Sequence, residues 1–175
     1  MKFLNSFLII GMAVFFACQP AKQKKSEEPL KPNIVVIYLD DLGYSDLSSY
    51  GATEIQTPNI DALANGGIKF TNGYASSATC TPSRYALLTG VYPWKNKQAK
   101  ILPGTAPLII DTAQVTLPKM LKSNGYQTAL VGKWHLGLGT GNVNWNRHVS
   151  PGPNEVGFDY AYYLAATQVV YLQFI

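Results

Sequence analysis

Asn33–Leu39 runs Asn-Ile-Val-Val-Ile-Tyr-Leu, and Asp40-Asp41 follow it directly. The run is apolar and β-branched without alternation, which predicts a strand buried on both faces, as in a parallel sheet. After it, Thr57-Pro58 caps and starts a short helix through about Asn65, stopped by Gly66-Gly67. Ile68–Tyr74 is a candidate second strand. Pro82 opens a helix to Thr89 that Gly90 ends, and Thr116 or Leu117 opens another to Asn124, ended by Gly125. Tyr126–Val131 follows as a strand, with Gly132-Lys133-Trp134-His135 leaving its carboxyl end. Residues 137–157 are rich in Gly, Asn and Pro and read as a long loop of the functional or mobile kind. This β–α–β order predicts an α/β fold with a mostly parallel, doubly wound sheet. Such sheets take ligands beyond the carboxyl ends of their strands, where Asp40, Asp41, Lys133 and His135 fall, with Cys80 at a helix start.

The chain has 175 residues, 47% of them hydrophobic and 14% charged, which suits one ordinary globular domain. Its net charge of +4 is unevenly placed. Residues 1–33 hold five lysines against two glutamates, while residues 34–175 come to only +1. A basic face for nucleic acid belongs on the folded part, so nucleic-acid binding is excluded as a reading.

Lys2 and the 11-residue apolar run Phe7–Ala17 form a signal-peptide core, too short to span a bilayer. Ala17 before Cys18 resembles a relaxed bacterial lipobox, so residues 1–17 are expected to be removed and Cys18 lipidated. Residues 18–32 then serve as a polar tether to a membrane met only through that lipid. The expected location is outside the cytoplasm, in the periplasm or at the outer membrane and cell surface. Cys18 and Cys80 are the only cysteines, and a disulfide between them is the plain alternative for an exported chain.

Paired aspartates at a strand end are costly unless a cation neutralises them, and hard oxygen donors favour calcium or magnesium over zinc. Alternatively, Asp41 caps a turn and Asp40 is solvated. Cys80 lies where a helix start favours negative charge, as an activated nucleophile or a small buried residue. Arg84, one turn on, is placed to fold back over Cys80, or is a surface arginine. Lys133 and His135 stand two apart on an extended segment and should point the same way, although Lys-Trp-His by itself is more often incidental. Trp134 should pack inward, and His148 should be exposed.

Cys80-Thr-Pro-Ser-Arg84, Val131-Gly-Lys-Trp-His-Leu-Gly137, the Thr57-Pro-Asn-Ile-Asp-Ala-Leu-Ala64 helix, Leu87-Leu-Thr-Gly90 and Gly157-Phe-Asp-Tyr160 together resemble type I, formylglycine-dependent sulfatases of the arylsulfatase kind. The resemblance runs from about Asn33 to Gln168 and implies the amino-terminal part of an alkaline-phosphatase-like catalytic domain. It implies that a maturase oxidises Cys80 to 3-oxoalanine (formylglycine), whose hydrate attacks the sulfur of a sulfate monoester. It implies calcium held by Asp40, Asp41 and the modified Cys80, and assigns Arg84, Lys133 and His135 to catalysis, the last two touching sulfate. The 137–157 loop looks like that of bacterial sulfatases acting on sulfated glycans.

Members of that family are much longer, and Val169–Ile175 is an atypical apolar tail, so a frameshift, early stop or partial gene model is expected there. With only part of a site, the chain alone is expected to lack turnover. Other readings are a phosphonate or phosphate monoester hydrolase using the same modified cysteine, a non-catalytic truncated lipoprotein or sulfated-glycan binder, and a cysteine-nucleophile hydrolase with His135 as partner.

Overall fold

The computed structural model describes residues 31–166. The expected signal peptide, Cys18, nearly all of the expected tether and the 169–175 tail lie outside the described residues. The chain divides into two compact units, Met1–Tyr38 and Leu39–Ile175. In the first, residues 31–38 are exposed and form no strand; Val35 is 82% accessible. The buried strand expected over Asn33–Leu39 is therefore not formed. A strand exists only within a ladder that takes its N–H and C=O groups, and no ladder among the described residues includes Asn33–Leu39.

In the second unit, a 3-10 turn at Tyr44–Asp46 and another at Ser48–Tyr50 precede helix α1, Pro58–Gly66. The Asp61 carboxylate of α1 accepts from Ser48 Oγ at 2.6 Å and from the Ser49 backbone at 2.8 Å, stitching the turns to the helix. Ile68–Tyr74 is not the strand expected of it. Its carbonyls are taken by side chains instead, Tyr50 Oη donating to Phe70 O at 2.9 Å and Tyr44 Oη to Thr71 O at 3.3 Å.

Helix α2 covers Cys80–Thr89 and starts two residues before the expected Pro82. Thr79 is its N-cap, and Ser83 N donates to Thr79 O at 3.2 Å to close the first turn. Pro82 is tolerated there because first-turn N–H groups lack helical partners anyway. Gly90 ends the helix at φ 67° with its N–H on Ala86 O. Helix α3, Leu117–Ser123, is capped by Thr116, whose hydroxyl accepts from Lys119 N and donates to Val156 O.

Strand β1 covers Ala129–Lys133, three residues later at its start than expected, because its extent is set by its partner. That partner is β2, Tyr160–Leu164, paired in parallel with Ala129 opposite Tyr160 and Lys133 opposite Leu164. Parallel strands need a long crossover, and residues 134–159 supply it, with a single turn of helix α4 at Pro153–Val156. The crossover is not the loose loop its composition suggested. Leu136 and Leu138 are buried, and Ile109 N→Leu136 O (3.1 Å) and Leu138 N→Ala106 O (2.9 Å) lace it to residues 106–109.

The core gathers Tyr85, Ile109, Ile110, Trp134, Leu136, Leu138 and Val156. Each large side chain buried here stabilises the fold by about 1.5–3 kcal/mol. Trp134 is inside, as expected, and His148 is exposed. Leu130 and Tyr163 face the core from the sheet, whereas Val131 and Tyr162 on its other face are 73% and 71% accessible. The architecture is α/β with a small parallel sheet, a part of the doubly wound arrangement. No helix among the described residues is long and apolar enough to cross a membrane.

Candidate active site

Cys80 is the first residue of α2, so its side chain projects from a helix start; it is a free, half-buried thiol. Lys133 ends β1 and places Nζ 3.1 Å from Cys80 Sγ. The same ammonium donates to Asp40 Oδ2. Arg84, one turn into α2, sets Nη2 3.5 Å from Asp40 Oδ2 and donates from Nη1 to Lys133 O at 2.7 Å. Asp40, Cys80, Arg84 and Lys133 thus meet at one point from a turn, a helix start and a strand end.

Charge balance follows from these contacts. The Lys133 hydrogen bond holds the Asp40 carboxyl below its ordinary range, outweighing the desolvation that opposes it, and Arg84 adds to the effect. Burial pulls the Lys133 ammonium down, but the contacts to Asp40 and Cys80 more than offset this and raise it overall. At neutral pH the cluster holds an ionised carboxylate between two cations.

His135 does not continue an extended segment beside Lys133, as the two-residue spacing suggested. Its φ is +53°, so the backbone turns there. Thr81 Oγ1 donates to His135 O at 2.7 Å, and His135 N donates to Ala165 O at 3.0 Å, holding that turn between α2 and the end of β2. The ring is 1% accessible, with Nε2 2.8 Å from Leu102 O and Nδ1 buried without a partner. Burial, with the Lys133 and Arg84 charges behind it, lowers the imidazole below its ordinary value against the pull of the Leu102 carbonyl. It is therefore neutral at pH 7, with Nε2–H as donor and Nδ1 as a lone pair.

Asp41 is next to Asp40 in the chain but exposed, at φ +56°, which aspartate tolerates better than most residues. Both carboxylates are hard oxygen donors of the type calcium takes. That ion uses six to eight oxygens, so these two fit it in kind and supply part of a shell. Among the described residues no group of three or more His, Cys, Asp or Glu gathers around one point.

Two participants escaped sequence reasoning. Thr81 stands at an unspecified position inside Cys-x-Pro-x-Arg, yet is fully buried and clamps His135. Leu102 contributes only its carbonyl, for which a side chain carries no sign.

A sequence model of the sulfatase family matches residues 32–172. An N-acetylgalactosamine-6-O-sulfatase of Bacteroides thetaiotaomicron is 52% identical over 162 residues, covering 91% of this chain and 32% of that protein. A solved structure from work on the metabolism of multiple glycosaminoglycans by Bacteroides thetaiotaomicron superposes with TM-score 0.76 at 56% identity, over 78% of this chain and 29% of the other. The crystal structure of Ps i-CgsB in complex with k-i-k-neocarrahexaose superposes with TM-score 0.58 at 38% identity, over 71% and 26%. The chain spans about a third or less of the length of these relatives. With its two signature segments meeting at one point in a sulfatase-like part-sheet, this chain belongs to the sulfatase family.

Proposed function

We propose that the protein hydrolyses sulfate monoesters of carbohydrates at the point where Asp40, Cys80, Arg84 and Lys133 meet. The observation that carries this is the 3.1 Å approach of Lys133 to Cys80 beside an Asp40–Arg84 ion pair. It sets two cations around the position from which a nucleophile would meet a dianionic or monoanionic ester. The glycan preference draws on the relatives, one named for a sugar sulfate and one solved with a neocarrahexaose.

Oxidised to formylglycine, residue 80 would supply a hydrated aldehyde as an oxygen nucleophile. Calcium held by Asp40 and Asp41 would supply Lewis-acid polarisation of a sulfate oxygen. Lys133 binds a sulfate oxygen and Arg84 orients residue 80 through Lys133 and Asp40. His135, neutral with Nδ1 open, accepts a proton or hydrogen bond from the hydroxyl at residue 80. With Cys80 left as an unconverted thiol and only two carboxylates towards a calcium shell, the 175-residue chain expressed alone has no measurable turnover. Export through residues 1–17 and lipidation of Cys18 place the site where external glycans arrive.

Mass spectrometry of the peptide spanning residue 80, from protein purified out of its own host, tests the reading. An aldehyde there, with faster release of sulfate from an aryl sulfate than of phosphonate from a matched ester, is expected. An intact thiol in active protein sinks the mechanism. A preference for the phosphonate moves the protein to the other ester class, and no turnover with retained glycan binding makes it a binder.

A further inference from the structure

The turn after α2 carries a second feature, remote from Cys80. Tyr92 and Trp94 stack with ring centroids 4.1 Å apart and planes at 14°, yet the two residues are 54% and 70% accessible. The stack is built, not accidental. Pro93 between them is buried in a 3-10 turn, Lys95 N donates to Tyr92 O at 3.1 Å, and Asn96 N donates to Pro93 O at 3.0 Å. Asn96 then ties the turn to the core through Ile109 O and orders the next residues by accepting from Gln98 N at 2.9 Å.

Three exposed lysines, Lys95, Lys97 and Lys100, follow the stack, and no ion pair among the described residues uses them. The sequence has no Asp or Glu between Asp61 and Asp111, so the stretch that carries these lysines supplies no carboxylate of its own. A stacked pair of exposed aromatics offers a contiguous apolar plate to a partner. A flat plate suits the C–H face of a pyranose ring. Lysines beside it suit an anion and would repel a basic partner.

We propose that Tyr92 and Trp94, with Lys95, Lys97 and Lys100, form an anchoring surface for a sulfated oligosaccharide, separate from the sulfuryl site. The surface lies at the opposite end of the ten-residue α2 from Cys80, about 15 Å away at 1.5 Å per residue. Only an extended glycan could reach from one to the other. This deepens the function proposed above and rests on it for the choice of a sulfated sugar over other polyanions.

The test is calorimetric titration of the 175-residue chain with a chondroitin 6-sulfate hexasaccharide and its desulfated counterpart. The sulfated sugar should bind about tenfold more tightly than the desulfated one at low salt. Trp94→Ala should weaken binding about three- to tenfold, with Trp94→Phe retaining most of it. Replacing all three lysines by glutamine should weaken it about tenfold and flatten its salt dependence. Should Trp94→Ala fail to fold by circular dichroism, the phenylalanine and triple-glutamine variants carry the comparison.

Equal affinity for both sugars, or none for either, overturns the anchor. So does Trp94-dependent self-association in sedimentation, which would make the patch a contact between copies. Trp94-dependent binding to phosphatidylserine vesicles in preference to the hexasaccharide would assign it to a membrane and equally overturn it. Binding lost in Lys133→Met but untouched by Trp94→Ala removes the anchor and leaves the sulfuryl site standing. Trp94-dependent binding with no sulfate release by the host-purified protein keeps the anchor and removes the hydrolase.

Discussion

Lys133 Nζ stands 3.1 Å from Cys80 Sγ, across 53 positions of sequence, while the same ammonium donates to Asp40. One cation therefore fastens a strand end to a helix start and to a turn. Removing it as Lys133→Met should cut kcat/KM of the host-purified protein on an aryl sulfate by about a hundredfold or more, the scale of losing one charged stabiliser. Lys133→Arg should rescue poorly, since a planar fork replaces a compact point charge. Turnover of Lys133→Met within threefold of the parent would remove Lys133 from the site.

The pairing also sets an acid limit. Asp40 has its pKa lowered from 3.8, chiefly by the Lys133 hydrogen bond, so its contribution to stability is fully present above pH 3.8. It drains away as pH falls through the lower folded value. Lys133 is raised from 10.5, so its share persists below that pH and is lost only as pH climbs through the higher folded value. The Tm difference between the parent and Asp40→Asn should thus be flat from about pH 5 to 9 and shrink below pH 3.8. A gap that instead closes near neutrality would contradict the ion pair.

Most of what the sequence showed is local, and most of what it hid is not. Helix limits were legible because Pro58, Gly66, Gly90 and Thr116 act through their own backbone or side chains. Cys80 at a helix start and Lys133 at a strand end were legible from an α/β chain, whereas Asp40 reaches them from a turn and not from the strand end expected to carry it. Their roles in a reaction are a separate matter, left to the experiments above. Strands were misplaced because a strand is defined by its partner. Asn33–Leu39 has no ladder among the described residues, and Ala129–Lys133 takes its limits from Tyr160–Leu164. The turn at His135 was hidden because the hydroxyl holding it lies 54 residues away, on Thr81.

That hydroxyl gives a further expectation. Thr81→Val keeps the shape but leaves the His135 carbonyl buried without its donor, a cost of about 1–3 kcal/mol. Thr81→Ser retains the bond and should lose much less. Urea midpoints for the two variants check this; equal losses would show that the methyl group matters as much as the hydrogen bond.

Gly137 should tolerate no side chain. Its φ is +80°, and a Cβ placed there would lie 1.8 Å from Pro107 O, in the middle of the lacing between 106–109 and 136–139. The Gly137→Ala chain must move backbone in a buried segment, at a cost of about 3 kcal/mol or more. Its Tm should fall by ten degrees or so, about 2–4 °C per kcal/mol being lost in a domain of this size. A melting curve within 2 °C of the parent would mean that residues 106–109 do not lie against the crossover as described.

The imidazole of His135 tests the interior of the site in solution. Burial lowers it from 6.5 against the pull of the Leu102 carbonyl, which accepts from Nε2–H, so the folded protein carries it neutral. A lowered folded value means stability that is complete above pH 6.5 and declines as pH falls through the folded pKa, since the unfolded chain binds the proton more readily. His135→Gln should abolish that decline while leaving the separate loss below pH 3.8 that belongs to Asp40. In nitrogen NMR the ring should show Nε2 protonated and Nδ1 bare at pH 7. A ring that titrates above 6.5 would require a carboxylate at Nδ1, and the neutral acceptor on which its role at residue 80 depends would be gone.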